Sequence, residues 1–284
     1  MSGTLFVVAT PIGNMEDVTL RALRVLREVD VIAAEDTRRT ARLLSHYAIA
    51  TPTISFHQHN VRTRLPQLLS RLHAGNNVAV VTDAGTPGVS DPGVELVDAC
   101  VKAHVAVDAI PGPNAPLTAA VASGFPLIPL TILGFAPRRS KDRIAWFSEI
   151  KAILHTVTFF ESPHRIAATL SDAHDILGDR PIVLGRELTK QHQEYLRGTS
   201  GTVLAQIGQP RGEITIVIGP HIAANLSLAL SEKPPSMAGA VTRFGQLTDL
   251  GYSRRQAMTE AARAFNLPVR KVYAAVEEAK KLGE

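Results

Sequence analysis

The sequence has a single cysteine, Cys100, so it can form no intramolecular disulfide and no multi-cysteine zinc site. Val97 and Val101 flank Cys100 in an apolar helical pattern, which reads as a buried, inert thiol. No stretch approaches the roughly 18 uninterrupted apolar residues that a membrane helix needs. Met1–Ala9 lacks a basic residue, and its apolar run Leu5–Ala9 is too short for a secretory signal. A cytoplasmic protein that avoids membranes is therefore expected. Three cofactor and metal signatures are also missing. There is no Gly-x-x-x-x-Gly-Lys-Ser/Thr to cradle phosphates, no Gly-x-Gly-x-x-Gly after the first strand, and no His-Glu-x-x-His. No metal site is assigned.

With 284 residues and 45% hydrophobic content, the chain can bury a large core without staples. Charge is unevenly spread. The net charge is +4, and Lys233–Glu284 holds nine basic and five acidic residues, so that segment carries the whole excess. A basic terminal segment suits an anionic partner, nucleic acid first, although a solvated helical surface has the same composition.

Short apolar runs alternate with helical patterns from the start. Leu5–Val8, Val31–Ala34, Thr53–Phe56, Val78–Thr82 and Val105–Ile110 read as strands. Val18–Val29, Thr37–Tyr47, Val61–His73 and Val94–Ala103 read as the helices between them. This alternation predicts an α/β fold with a mainly parallel sheet. Six prolines between Pro111 and Pro137 mark a crossover, with a short helix at Leu117–Ser123. A second α/β unit follows, with strands at Thr156–Phe160, Pro181–Gly185 and Glu213–Gly219 and a helix at Arg165–Ile176. The pair Pro234-Pro235 marks a linker. Helices are expected at about Met237–Leu250, Ser253–Phe265 and Pro268–Lys281, with Ser253 as an N-cap, Gly251 as a C-cap and Asn266 as a stop. They suggest a helix-turn-helix-like module. The expected boundaries are 1–115, 116–225, a linker at 226–236, and 237–284.

Four loops each follow a predicted strand of the first unit: Ala9–Asn14, Glu35–Arg38, Asp83–Gly93 and Pro111–Ala115. In open α/β sheets, ligands bind beyond the carboxyl ends of the strands, where these loops would meet. Glycines allow close approach of the backbone, and prolines keep the loops stiff. Asp83 suits an ammonium or a ribose hydroxyl. Pattern reasoning alone stops at an α/β enzyme or binder with a rigid, loop-built pocket.

Thr10-Pro11-Ile12-Gly13-Asn14, Glu35-Asp36-Thr37-Arg38, Asp83–Gly93 and Pro111-Gly112-Pro113 together resemble the tetrapyrrole-methylase-like superfamily. Within it the chain is most similar to a branch that methylates the ribose 2′-oxygen of a cytidine in the decoding region of small-subunit (16S) rRNA. The resemblance covers essentially the whole chain. It implies two α/β domains of the class III methyltransferase type, S-adenosylmethionine in the cleft between them, a C-terminal helical extension, and a homodimer. It also implies cofactor-lining roles for Pro11, for Asp83, Ala84, Gly85, Thr86 and Val89, for Asn114 and Ala115, and for Glu161 and Leu188. One departure stands out: relatives carry Gly-Gly-Asp-Pro where this chain has Ala84-Gly85-Thr86-Pro87, so Asp83 is expected to take over the acid's hydrogen bonds.

A ribose hydroxyl is barely ionised at neutral pH, so a general base would assist transfer. Glu35, Asp36 and His57 are the candidates, although Asp36 could equally cap a helix. Arg38, the crossover run Arg138, Arg139, Lys141 and Arg143, and Arg254, Arg255, Arg270 and Lys271 are candidates for phosphate contacts. Two other functions stay open: a tetrapyrrole methylase, or an RNA-binding protein that senses S-adenosylmethionine without catalysis.

Overall fold

The computed structural model describes residues 2–89, 93–208, 210–221, 236–249, 252–265 and 267–281. Five strands build the first sheet: β1 (Thr4–Val8), β2 (Val31–Ala34), β3 (Thr53–Ser55), β4 (Val78–Val81) and β5 (Ala106–Ile110). All pair in parallel, in the order β3-β2-β4-β1-β5. Every residue of β2 and β4 is buried, as expected of strands covered on both faces. Alternate residues divide between two cores. Ala79 and Val81 pack with α1 (Leu20–Glu28) and α2 (Thr37–His46). Val78 and Val80 pack with α3 (Val61–His73) and α4 (Val94–Lys102). Cys100 lies in the second core, where burial pushes its thiol up to about 11. It is an inert core residue.

The crossover is more ordered than its prolines suggest. It contains α5 (Ala115–Ser123) and a strand the sequence reading missed, β6 (Leu130–Phe135). Then come α6 (Ser140–Ala152), β7 (Thr156–Glu161), α7 (Ile166–Leu177), β8 (Pro181–Arg186), β9 (Glu194–Thr199), α8 (Ser200–Gln206) and β10 (Ile214–Ile218). This sheet runs β6-β7-β10-β8-β9 and is mixed, with β10 antiparallel to both β7 and β8. The basic run does not lie in a loop: Lys141 and Arg143 belong to α6, and Arg138 and Arg139 are exposed just before it. Arg143 must be withdrawn from the RNA-contact set. Its side chain is 4% exposed, pairs with Asp172 at 2.6 Å and donates to the carbonyls of Pro137 and Arg138. A guanidinium buried and paired in this way is poorly placed to reach a phosphate in solution.

Both sheets lie in one compact unit, Met1–Gly219; Pro220–Glu284 forms a second. Within the second unit, α9 (Met237–Asp249), α10 (Arg254–Ala264) and α11 (Val269–Lys281) pack mutually around Phe244, Met258, Phe265 and Val272. The expected linker up to residue 235, the Gly251 cap and the Asn266 stop lie outside the described residues. Ser253 does cap α10, in a reciprocal box with Gln256. Ser253→Ala is expected to destabilise this unit by about 1 kcal/mol, read as an earlier thermal transition by circular dichroism. Arg254 is paired with Glu277 and lies over the Tyr273 ring, whereas Arg255, Arg270 and Lys271 are exposed.

Candidate active site

A parallel sheet puts the carboxyl ends of all its strands on one edge, so the loops after β1, β2, β4 and β5 converge there. The third loop is the hub. Thr10 and Gly85 exchange both backbone hydrogen bonds, at 2.9 and 3.0 Å, tying it to the first loop. Gly85 adopts φ +82°, a conformation that favours glycine. The Asp83 amide donates to Glu35 Oε2 at 3.2 Å, and the Asp36 amide donates to Asp83 Oδ1 at 3.1 Å, tying it to the second loop. Thr86 Oγ1 donates to the Pro113 carbonyl at 3.1 Å, tying it to the fourth. The hydroxyl at the departure site therefore braces loop against loop. Ser90, Asp91 and Pro92 of this segment lie outside the described residues.

Across from the hub stands the second sheet, and between them is a cavity of about 300 Å³. Asp83, Ala84, Gly85, Thr86 and Val89 line one side, with Asn114 and Ala115 at the N-terminus of α5. Phe135, Phe160, Ser162 and the segment Gly212–Thr215 line the other. Phe135 and Phe160 are neighbours across the β6–β7 pair, with ring centroids 5.2 Å apart. The volume and the mostly apolar wall suit a small organic ligand with a few polar anchors. Arg39 also lines the cavity and was missed by sequence reasoning; its Nη1 lies 3.4 Å from Asp83 Oδ2.

Several expected residues take other positions. Pro11 lines a second, adjoining cavity and not the first. Leu188 is buried in a small core with Ile12, Ala119, Val183 and Val217, so it backs Ile12 rather than facing the cavity. Asn114 uses its Oδ1 to cap α5 through the Leu117 amide. Glu161 borders the cavity, but its carboxylate is turned into protein. It pairs with Arg165 and accepts from Thr169 Oγ1 and the Ser162 amide, each at 2.6 Å.

Among the three candidate bases, Asp36 is engaged by its own helix. Its carboxylate caps α2 through the Arg38 amide and is gripped by the Arg38 guanidinium at 2.8 Å. Those hydrogen bonds hold it far below the usual carboxylate range, which makes it a poor proton acceptor. Arg38 is correspondingly committed to Asp36. Glu35 shows the opposite shift. Burial raises it, the Asp83 amide partly offsets that, and the Asp83 charge raises it further. Glu35 sits behind Asp83 and borders neither cavity. His57 packs nearby, and among the described residues its buried Nδ1 has no hydrogen-bond partner.

Three comparisons bear on this arrangement. The family model for Tetrapyrrole (Corrin/Porphyrin) Methylases matches residues 4–204. Ribosomal RNA small subunit methyltransferase I of Halalkalibacterium halodurans is 42% identical over 276 residues, 95% of this chain and 93% of that protein. The protein of the same description from Thermotoga maritima is 45% identical over 218 residues, 76% of this chain and 98% of its own length. Among solved structures, the uroporphyrin-III C-methyltransferase of Thermus thermophilus complexed with S-adenyl homocysteine shares the fold. It aligns with TM-score 0.54 and 17% identity, covering 78% of this chain and all of that one. The converging loops, the two-sheet unit and these matches lead to one conclusion: the chain belongs to the tetrapyrrole methylase family.

Proposed function

We propose that this protein is an S-adenosylmethionine-dependent methyltransferase acting on ribosomal RNA of the small subunit, at a ribose 2′-oxygen. One observation carries the reading: a ligand-sized cavity at the carboxyl edge of the parallel sheet, walled by the second sheet, in a chain 42% identical to a protein of that description. The cavity suits the methyl donor. Ile12, Val89, Phe135 and Ile214 offer apolar surface to a nucleoside, and Asp83 offers a carboxylate to its hydroxyl or ammonium groups.

S-adenosylmethionine supplies an activated methyl on a sulfonium. The chain's task is to hold donor and acceptor in line and to accept a proton. Asp83 borders both adjoining cavities, which supports a contact with the acceptor hydroxyl. Glu35 acts through it as a positioning residue, gripping the Asp83 amide. Because burial raises the Glu35 carboxyl, the acid limb of the rate profile is expected at higher pH than an ordinary glutamate would give. Turnover falls as pH drops through that value and Glu35 takes up a proton. In Glu35→Gln the part of this limb that Glu35 contributes should be lost from a kcat–pH profile, leaving the limb of the proton acceptor itself, while cofactor affinity holds.

Cytoplasmic location and a homodimer belong to the same reading. Among the described residues, no helix is long and apolar enough to cross a membrane. Leu117 and Val121 expose 47% and 70% of their surface on α5, which supports a second copy of the chain as partner. The direct test incubates the protein with methyl-labelled S-adenosylmethionine and small ribosomal subunits, then maps the label. A methyl on an RNA ribose is expected. Transfer to a tetrapyrrole and to no RNA would favour the small-molecule alternative.

A further inference from the structure

Helix α2 opens with Thr37-Arg38-Arg39-Thr40-Ala41-Arg42, three arginines in its first two turns and no acidic residue in the first. The N-terminal end of a helix carries partial positive charge, so cations there cost stability. The Asp36 carboxylate at the N-cap offsets part of this charge, and what remains is read from the partners of each arginine. Their partners are unequally divided. Arg38 is committed to Asp36, while Arg39 reaches Asp83 at 3.4 Å with 60% of its side chain exposed. Arg42 is exposed, and among the described residues it has no ion pair or hydrogen bond.

Arg39 and Arg42 are three residues apart, so they share one face of α2. That face borders the second cavity, of about 390 Å³, which adjoins the first and shares Ile12, Arg39, Asp83, Ala84 and Glu213 with it. A third cation there, Lys190, is neutralised by Glu187 and Glu213 at 2.8 and 3.1 Å. The uncommitted positive charge of this cavity is therefore on α2. Asp83, Arg39 and Glu213 border both cavities, and Arg42 borders the second alone.

We infer that Arg39 and Arg42 form a subsite for a phosphodiester of the RNA backbone next to the target ribose. The inference rests on the reading of the first cavity as the methyl-donor site. A ribose held at Asp83 carries a phosphate on either side, and the planar guanidinium fork matches phosphate oxygens. The subsite fixes the acceptor's position rather than the base identity.

The test uses the full chain with small ribosomal subunits, measuring kcat, KM and salt dependence, with S-adenosylhomocysteine affinity by calorimetry. Arg42→Ala is expected to raise KM for the subunit about tenfold, the effect of losing one charge-assisted contact. Its plot of log(kcat/KM) against log salt should be shallower by about 0.7–0.9. S-adenosylhomocysteine affinity should not change, and Arg42→Lys should recover part of the loss. If wild-type enzyme methylates RNA and Arg42→Ala matches it in KM and salt slope, the subsite is wrong. Weaker S-adenosylhomocysteine binding with unchanged KM for the subunit would assign the charge to the cofactor and overturn it equally. A wild-type chain that methylates no RNA overturns the underlying reading, and the subsite falls with it.

Discussion

Asp83→Asn is expected to cut methyl transfer at least about 100-fold, the scale of losing a positioned proton acceptor, while the chain stays folded. The substitution is nearly isosteric. The amide oxygen of asparagine can still accept from the Asp36 amide, and the backbone bond from residue 83 to Glu35 is untouched. What disappears is the charge. Arg39 loses its anionic partner, and the site loses one of the two carboxylates, with Glu213, that border both cavities. The Asp83 charge also helps to raise Glu35, so the acid limb of the residual activity should move down in pH. Single-turnover transfer, S-adenosylhomocysteine affinity and melting temperature together check this. A loss of less than about threefold, with stability unchanged, would remove Asp83 from proton transfer. Asp83→Ala should do more damage than Asp83→Asn, because it also leaves the Asp36 amide without its acceptor.

The parts of this molecule that were readable from sequence are those where one physical rule acts alone. The β-branched runs of β1, β2 and β4 are buried on both faces, so their apolar patterns were unbroken. The four loops were readable because each follows a strand end, three of them with glycine or proline and the second with the charged run Glu35-Asp36-Thr37-Arg38. The missed elements lie where rules compete. Strand β6 is an edge strand with half-exposed residues, so its pattern neither alternates nor stays apolar, and the prolines around it suggested a loop. Missing it also hid Phe135, and with it one wall of the cavity.

The catalytic set shows a related limit. Residue type brought Glu35, Asp36 and His57 together, but partners decided between them. Arg38, only two residues from Asp36 in sequence, folds back onto it and pairs with its carboxylate. The Asp83–Arg39 pair at the cavity wall joins the third loop to α2, and no local sequence pattern announces it. Thr86 is a milder case. The substitution of a family acid suggested that its role had moved to Asp83, and the structure gives the threonine a role of its own: its hydroxyl holds the fourth loop.

Glu161→Ala is expected to lower the stability of the first unit by about 3–5 kcal/mol, because it breaks a buried ion pair from one side. The carboxylate is fully buried, whereas its partner Arg165 is 24% exposed. Removal leaves the Thr169 hydroxyl, itself buried, without its acceptor, and the Ser162 amide loses its side-chain bond. For a unit of this size the change corresponds to a fall in melting temperature of roughly 6–20 °C. The measurement also separates the two roles this residue can have. If Glu161 is structural, saturating S-adenosylhomocysteine should raise the melting temperature of the variant by nearly the wild-type increment, since that increment reports affinity for the folded state. If it binds the cofactor, the increment should shrink and the apo protein should lose little. The geometry favours the first outcome: all the hydrogen bonds to the Glu161 carboxylate come from α7 and the turn before it, and none faces the cavity. Glu161→Gln sharpens the test. It keeps an acceptor for Thr169 but loses the charge that Arg165 needs, so its loss should fall between wild type and alanine.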